Sequence, residues 1–210
     1  MDKITLLLVD DHAVVRAGYR RLLENQPDLT VIGEAETAQR ALDIWKSKNP
    51  DVIVLDIGLP DISGIELLQR FIRKDGNVRI LIFSMHRDPI FISQAIRAGA
   101  LGYVTKSSPA EIIIEAVYKV AKRQQFISPD ISSDLAIALL TEPANPIREL
   151  SPREFEILQM LLNGLDAQAI ADALSISSKT VHNYHYQIKI KLGVKNDIEL
   201  ARIGFKYGLI

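Results

Sequence analysis

Residues 52–68, VIVLDIGLPDISGIELL, combine a continuous apolar run with a polar turn and the start of a helix pattern. A run that is apolar at every position, and not only at every second one, is typical of a parallel strand buried on both faces. Asp56 follows that run directly. Parallel strands need long crossover connections, usually helices, so this stretch predicts an alternating α/β fold with a carboxylate at the end of a central strand.

Similar strand and helix patterns flank this stretch and extend over residues 1–125. Five short apolar runs predict strands, and they lie at residues 4–9, 30–33, 52–55, 79–83 and 102–105. Helix patterns alternate with them at residues 12–25, 38–48, 65–74, 89–98 and 109–122. We therefore predict a doubly wound, flavodoxin-like domain with a parallel five-stranded sheet. Its functional crevice should lie at the carboxyl ends of the strands.

Composition is consistent with two domains of ordinary size in a cytoplasmic protein. The chain has 210 residues, of which 48% are hydrophobic and 24% are charged, and its net charge is −1. It contains no cysteine, which excludes disulfides, thiolate metal sites and cysteine nucleophiles. No apolar run approaches the roughly 18 residues of a membrane span. The run at residues 4–9 ends at Asp10 and Asp11, so we expect neither a signal peptide nor a membrane partner.

The alternating rhythm is lost after residue 125. Three prolines and several acids interrupt residues 126–149, which we interpret as a linker with one short helix over residues 132–140. Residues 150–210 then show helix patterns only. Ser151 and Glu154 have the spacing of a capping box at the start of the first helix.

The middle of this last segment has a helix-turn-helix pattern. A short helix over residues 167–174 is followed by a turn and by a longer helix that begins at Ser177 or Ser178 and reaches about Leu192. A final helix covers about residues 197–207. We predict an all-α, four-helix domain whose longer helix reads DNA.

Three acids should meet at the carboxyl edge of the predicted sheet. Asp10 and Asp11 end the first strand and Asp56 ends the third, and these strands are neighbours in the order 2-1-3-4-5. Carboxylates gathered in one crevice repel each other unless a cation lies among them. A hard cation that takes oxygen ligands fits best, so we predict a Mg²⁺ site.

Two further residues complete a site for phosphoryl transfer, namely Ser84 at the end of the fourth strand and Lys106 after the fifth. Asp56 would be the nucleophile that forms an acyl phosphate. Mg²⁺ would be held by the acids and by a backbone carbonyl near Gly58, while Lys106 and Ser84 would hold phosphate oxygens. Each residue alone has a commoner explanation as a cap or a solvated side chain. Their joint position at strand ends favours the site.

Four segments resemble NarL/FixJ-type receiver domains: LLLVDDHAVVRAGYRRLL, VIVLDIGLPDISGIELL, ILIFSMH and AGALGYVTKS. The resemblance implies that a sensor histidine kinase phosphorylates Asp56. It also implies that Ser84 and Tyr103 form a switch pair, in which the hydroxyl is drawn to the phosphate and the ring rotates inward. Two residues depart from the family pattern: Gly58 stands where bulkier residues are common, and Ser107 stands where many receivers have proline.

The longer helix of the last domain carries the predicted DNA contacts. Residues 173–196 contain four lysines and no acid, a pattern of a nucleic-acid surface or of an ordinary solvated helix face. Asn183 suits adenine and His182 can donate to a base acceptor. The other outward side chains, three of them suited to phosphates, are Lys179, Thr180, Lys189 and Tyr186.

Residues 149–196 resemble the LuxR-type effector domain along their whole length. Within the family, TVHNYHYQIKIKL and the ending DIELARIGFKYGLI are similar to the GacA/UvrY branch. The resemblance implies a two-component response regulator that binds double-stranded DNA and acts with RNA polymerase on transcription. Gln168 departs from the pattern, because many relatives have a lysine there.

We expect phosphorylation to uncover the DNA-reading helix and to favour a homodimer. The last helix offers a candidate dimer face, or alternatively packs within its own domain, through Ile198, Ala201, Ile203 and Phe205. Two other functions compete with this hypothesis: a DNA-binding protein whose receiver only dimerises, and an aspartyl-phosphate phosphatase. The complete acid set disfavours the first, and Gly58, in place of a general acid, disfavours the second. We expect a phosphoacceptor and not a turnover enzyme.

Overall fold

The computed structural model describes residues 3–141, 145–174 and 176–210, with the backbone alone at residue 134 and residues 137–141. The chain divides into two compact units, Met1–Thr141 and Glu142–Ile210. No helix in the described ranges is both long and apolar enough to cross a membrane.

The first unit contains a parallel sheet with strand order β2-β1-β3-β4-β5-β6. Its strands are β1 (Ile4–Val9), β2 (Leu29–Ala35), β3 (Val52–Leu55), β4 (Ile80–Ser84), β5 (Gly102–Thr105) and β6 (Phe126–Ile127). All neighbouring strands are parallel. Every residue of β3 is buried, as its continuous apolar run predicts for a central strand.

Helices connect the strands and cover both faces of the sheet. They are α1 (Ala13–Glu24), α2 (Ala38–Lys48), α3 (Gly64–Lys74), α4 (Pro89–Arg97), α5 (Ala110–Ala121) and α6 (Pro129–Thr141). Side chains cap three of them: Thr37, Ser63 and Asp88 accept hydrogen bonds from backbone N–H groups in the first turns of α2, α3 and α4. On one face, α5 and residues of α1 pack on the strands in a continuous apolar core. The predicted doubly wound α/β fold is confirmed.

The described part of the sheet has six strands and not the predicted five. Residues Phe126–Ile127 pair in parallel with Gly102 and Tyr103 of β5. A strand of two residues is too short to show a hydrophobic period, so the sequence pattern did not separate it from the linker. The predicted linker 126–149 therefore differs from the structure, since β6 and α6 belong to the first unit. Residues 142–144 of that linker lie outside the described residues.

The second unit is helical throughout. After a short 3-10 helix at Pro146–Glu149 it contains α7 (Pro152–Leu162), α8 (Ala167–Leu174), α9 (Ser178–Leu192) and α10 (Asp197–Lys206). Ser151 and Glu154 form the predicted capping box at the start of α7. α8 and α9 pack as the predicted helix-turn-helix pair, and Ser175 in their turn lies outside the described residues. The core side chains come from all four helices, among them Phe155, Ile170, Val181, Ile188 and Leu200.

Gly64 lets α3 begin directly against the strand end that carries Asp56. A Cβ atom added at Gly64 would lie 2.1 Å from the Asp56 carbonyl oxygen and 2.7 Å from the Ile57 Cα atom. Both atoms belong to the backbone, so no side-chain rotation relieves the clash. The close approach of α3 to the β3 end therefore requires glycine at this position.

We expect Gly64→Ala to destabilise the first unit by about 1–3 kcal/mol or more, because the added methyl group overpacks a site bounded by backbone. Urea unfolding followed by the fluorescence of Trp45, the single tryptophan, reports on this unit. Gly18→Ala is the matched control, because a Cβ atom there meets nothing within 4 Å in α1. The control should stabilise the protein by about 0.5–1 kcal/mol. Stabilisation by both substitutions would contradict this packing.

Candidate functional site

The carboxyl edge of the sheet brings together acids from two neighbouring strands. Asp10 follows β1 and Asp56 follows β3, and the register pairs Val9 with Leu55 directly before them. The Asp56 backbone N–H donates to the Val9 carbonyl at 2.9 Å. Both acids are only 6% exposed. Two carboxylates thus share a poorly solvated crevice, where they repel each other.

The Lys106 ammonium offsets this repulsion. Its Nζ lies 2.6 Å from Asp56 Oδ2 and 2.7 Å from Asp10 Oδ2, and its side chain is 6% exposed. Burial alone would lower the pKa of Lys106, but hydrogen bonds to the two carboxylates and their negative charges raise it above its ordinary value. Lys106 is therefore protonated at neutral pH and bridges the two strand ends.

Four side chains at this edge have the composition of a metal site. One ligand atom each from Asp10, Asp11, His12 and Asp56 lies within 4.8 Å of the others. His12 was missed by the sequence prediction, although its position next to Asp11 was a signal for it. His12 Nδ1 lies 2.6 Å from Asp11 Oδ1. Three carboxylates suit a hard divalent cation, so this acidic pocket is able to bind a metal.

The Gly58 backbone lies beside the same carboxylate. Its N–H donates to Asp56 Oδ1 at 3.3 Å. A Cβ atom at Gly58 would lie 3.9 Å from Asp56 Oδ2 and would make an ordinary contact. Glycine at this position thus leaves one side of the Asp56 carboxylate open.

Ser84 and Tyr103 lie on the next two strands. Ser84 ends β4 and is almost fully buried, and its carbonyl accepts from the Lys106 backbone N–H at 2.9 Å. Tyr103 is fully buried, and its hydroxyl donates to the His86 carbonyl at 2.9 Å. Burial raises the pKa of Tyr103 well above its ordinary value. The predicted switch tyrosine therefore has its ring inside the protein in this structure.

α9 exposes most of the side chains that were predicted to contact DNA. Lys179, His182, Asn183 and Tyr186 are exposed, and Thr180 is half-buried. Ser177 caps the helix by accepting from the Thr180 N–H at 3.1 Å. Capping fixes the start of α9, where residues of a recognition helix lie nearest to base edges.

The His182 ring is held by its own helix. Its Nδ1 lies 2.7 Å from the Ser178 carbonyl oxygen, which only accepts hydrogen bonds. Nδ1 therefore carries a proton, and the neutral ring offers Nε2 as an acceptor. Donation from Nε2 to a base, as the sequence suggested, requires the protonated ring.

Two of the lysines in the basic stretch form ion pairs inside the second unit. Lys189 is partly buried, and its Nζ lies 3.2 Å from Asp197 Oδ1, an oxygen that is also 2.7 Å from His185 Nε2. Lys191 Nζ lies 2.7 Å from Glu154 Oε2 in the capping box. The sequence pattern suggested Lys189 for a phosphate contact, whereas the structure pairs it with the start of α10.

Two family models match the chain. The model of the response regulator receiver domain matches residues 6–118, and the model of bacterial regulatory proteins of the luxR family matches residues 148–203. The chain is a response regulator of the LuxR type. The receiver match includes the acidic pocket and Lys106, and the luxR match includes the helix-turn-helix pair.

Relatives match this response regulator over nearly its full length. Response regulator GacA of Pseudomonas aeruginosa is 33% identical over 209 residues, which cover 99% of this chain and 98% of GacA. Transcriptional regulatory protein UhpA of Escherichia coli is 37% identical over 199 residues, which cover 95% of this chain and 96% of UhpA. The GacA match agrees with the predicted branch, and the UhpA match shows that the likeness extends beyond it.

A solved structure shares the fold. RcsB from Salmonella enterica serovar Typhimurium, bound to the promoter P1flhDC in the presence of the phosphomimetic BeF3−, superposes with a TM-score of 0.76 at 25% sequence identity. The superposition covers 96% of this chain and 98% of the RcsB chain.

We expect Lys106→Met to destabilise the receiver at pH 7, because it leaves two buried carboxylates without their counter-ion. Removing one partner of a buried ion pair costs about 3–5 kcal/mol. Urea unfolding at pH 7 measures the loss.

Lys119→Met, at an exposed position of α5, is the control. It should change the free energy of unfolding by less than about 0.5 kcal/mol. A free energy of unfolding in Lys106→Met equal to that of this control would show that the ammonium does not offset carboxylate repulsion.

Proposed function

We propose that phosphorylation of Asp56 by a sensor histidine kinase controls sequence-specific DNA binding by α9, and thereby transcription. The observation that carries the proposal is the bridge from Lys106 to both Asp10 and Asp56 at the carboxyl edge of the sheet. It joins a carboxylate nucleophile to a cation that can hold the incoming phosphoryl group.

The transfer step follows from the contacts of the Asp56 carboxylate. An Asp56 oxygen attacks the phosphorus of a phosphohistidine, an O–P bond forms, and the P–N bond breaks as the imidazole nitrogen leaves with its electron pair. Lys106 then has phosphate oxygens to bind in addition to its carboxylate partners. Ser84, at the end of the neighbouring strand, supplies a hydroxyl for the same group.

Mg²⁺ fits the donor set at this edge. Asp10, Asp11 and Asp56, with the Gly58 carbonyl, would hold it, because carboxylate and carbonyl oxygens are its preferred protein ligands. When bound, the ion offsets negative charge on the transferred phosphoryl group. The chain then acts as a phosphoacceptor that takes part in its own phosphorylation and dephosphorylation, in the cytoplasm.

DNA reading is assigned to the exposed start of α9. Asn183 and His182 face outward at the start of the helix, where a recognition helix enters the major groove. Lys179 and Thr180 are placed for phosphates and Tyr186 for the flanking backbone. The match to an RcsB structure that contains promoter DNA supports double-stranded DNA as the partner. RNA polymerase is a further partner in this proposal.

A homodimer formed on activation is supported by α10. Leu200 and Gly204 pack within the second unit, whereas Ile198 is 71% exposed and Phe205 is 79% exposed. Large apolar side chains exposed on one short helix are typical of an interaction face. Of the four residues named for the candidate dimer face, Ile198, Ala201 and Phe205 are exposed and Ile203 is half-buried.

We expect Asp56→Asn to abolish covalent phosphorylation, because the amide cannot form the acyl phosphate. Incubation with radiolabelled phosphoramidate and Mg²⁺, followed by acid precipitation, measures uptake. EDTA should abolish uptake by the wild type as well. Asp43→Asn, which changes an exposed acid of α2, is the control and should take up label as the wild type does. Undiminished labelling of Asp56→Asn would refute the assignment of the acceptor.

Lysine substitutions along α9 should distinguish a lysine that contacts DNA phosphate from one that is already in an ion pair within the protein. Lys179→Ala should make the slope of log K against log salt concentration shallower by about 1, as for one lost phosphate contact. It should weaken binding to all DNA sequences alike. Lys189→Ala should change the slope less, because Asp197 already neutralises Lys189. Fluorescence anisotropy at several salt concentrations, with a duplex selected by the wild type from a random library, measures both. Equal slopes for the two variants would contradict this charge assignment.

Asn183→Ala should act on specificity. It should weaken binding to the selected duplex by about 1–3 kcal/mol, and binding to a scrambled duplex of equal length should be unchanged. Arg202→Ala, at an exposed position of α10, is the control. Equal losses on both duplexes would place Asn183 at the phosphate backbone instead.

A further inference from the structure

A network of hydroxyl groups surrounds the segment that carries Lys106. We name residues 105–108 the Lys106 loop; it consists of Thr105, Lys106, Ser107 and Ser108. The hydroxyl groups of the loop lie close together, since Thr105 Oγ1 is 3.0 Å from Ser107 Oγ and 2.9 Å from Ser108 Oγ. Thr105 is fully buried.

Asp130, in the first turn of α6, accepts from this network with both carboxylate oxygens. Thr105 Oγ1 donates to Asp130 Oδ2 at 2.8 Å, and Ser108 Oγ donates to Asp130 Oδ1 at 3.0 Å. Asp130 lies 25 residues beyond Thr105 and beyond the last predicted strand. An acid of α6 is thus bound directly to the Lys106 loop.

Arg87 closes the network into a ring. Its Nη1 donates to Ser107 Oγ at 2.9 Å and lies 3.2 Å from Asp130 Oδ2. Its Nη2 donates to the Asp130 carbonyl at 3.1 Å. The guanidinium comes from the segment that follows Ser84, so three segments of the first unit meet here.

Two charged groups of the ring, the Arg87 guanidinium and the Asp130 carboxylate, orient the protons of its hydroxyl groups. A guanidinium only donates and a carboxylate only accepts. Ser107 therefore accepts from Arg87 and donates to Thr105, and Thr105 donates to Asp130. Hydrogen bonds to charged groups are stronger than neutral ones, and bonds that point the same way polarise one another.

A surface ion pair alone would contribute little to the position of the loop. The Asp130 carboxylate is only partly exposed, however, and its partners include a fully buried hydroxyl. Burial alone would raise the pKa of Asp130, but hydrogen bonds from Thr105 and Ser108 and the Arg87 charge hold it below its ordinary value. Asp130 is thus ionised at neutral pH, as the ring requires.

We propose that Asp130 is a positioning residue for phosphoryl transfer at Asp56, acting through Thr105 and Ser107 on the lysine between them. This inference rests on the proposed function. Lys106 lies between two members of the ring, so its backbone is held on both sides while its ammonium reaches Asp10 and Asp56. Ser107 has a defined part in this network, because proline at its position would have no hydroxyl to join Arg87 to Thr105.

Asp130→Asn in the full-length chain tests the proposal. The amide keeps the size of the side chain but loses its charge and one of its acceptor oxygens. At saturating phosphoramidate and Mg²⁺, we expect the maximal rate of Asp56 labelling to fall by about 10-fold, as for other supporting partners of a site. The Kd for Mg²⁺, measured by isothermal titration calorimetry, should be unchanged, because the three acids of the pocket are untouched. Glu115→Gln, at an exposed position of α5, should label at the wild-type rate.

A second variant guards against simple misfolding. Thr105→Val keeps the shape of the side chain and removes the hydroxyl that joins Ser107 to Asp130. It should reduce the labelling rate to a similar extent and leave the Kd for Mg²⁺ unchanged. A wild-type labelling rate in either folded variant would overturn the proposal.

The decisive measurement repeats Asp130→Asn in a Lys106→Ala background. If Asp130 acts through Lys106, the second substitution adds no further loss of rate. If the two losses multiply, Asp130 acts by another route or only on stability, and the proposal fails. A wild-type protein that takes up no label at Asp56 would refute the proposed function itself. Normal wild-type labelling together with an unaffected Asp130→Asn would refute only the positioning role.

Discussion

The receiver depends on the repulsion between carboxylates that neighbouring strands force together. Asp10 and Asp56 are fixed side by side by the register of β1 and β3, and both are buried. Asp10, Asp11 and Asp56 bring three negative charges to this edge of the sheet, and the Lys106 ammonium compensates one of them, so two remain. A divalent cation would match that remainder, and in the proposed function an incoming phosphoryl group would give both cations further oxygens to bind. The acids would then serve that function at a cost to stability.

This constraint also explains where the functional groups lie. The central strand is buried on all its residues, so charged side chains have no place within it and follow its last residue. The same holds for β4 and β5, which are buried throughout and lead to Ser84 and Lys106. Gly64 belongs to this arrangement, because α3 starts within contact of the Asp56 backbone.

The positions of the strand ends were therefore predictable from the sequence. The positions of the acids, Ser84 and Lys106 at the carboxyl edge of the sheet were predictable with them. Other features had no local signal. β6 has only two residues, too few to show a period. The ion pair between Lys189 and Asp197 depends on the path of the chain between α9 and α10. A helix pattern in the sequence shows only that a lysine faces outward. His12 did have a signal, its position beside two acids, and was missed.

The part of the site least visible in the sequence is its attachment to α6. Strand patterns end at residue 105, yet the Lys106 loop is bound to an acid 25 residues beyond Thr105. The predicted receiver boundary at residue 125 separates Lys106 from Asp130, whereas the compact unit extends to Thr141. If Asp130 positions Lys106 as proposed, the start of α6 is energetically coupled to a phosphate at Asp56. By reciprocity, a displacement of the start of α6 would then change the equilibrium of Asp56 phosphorylation.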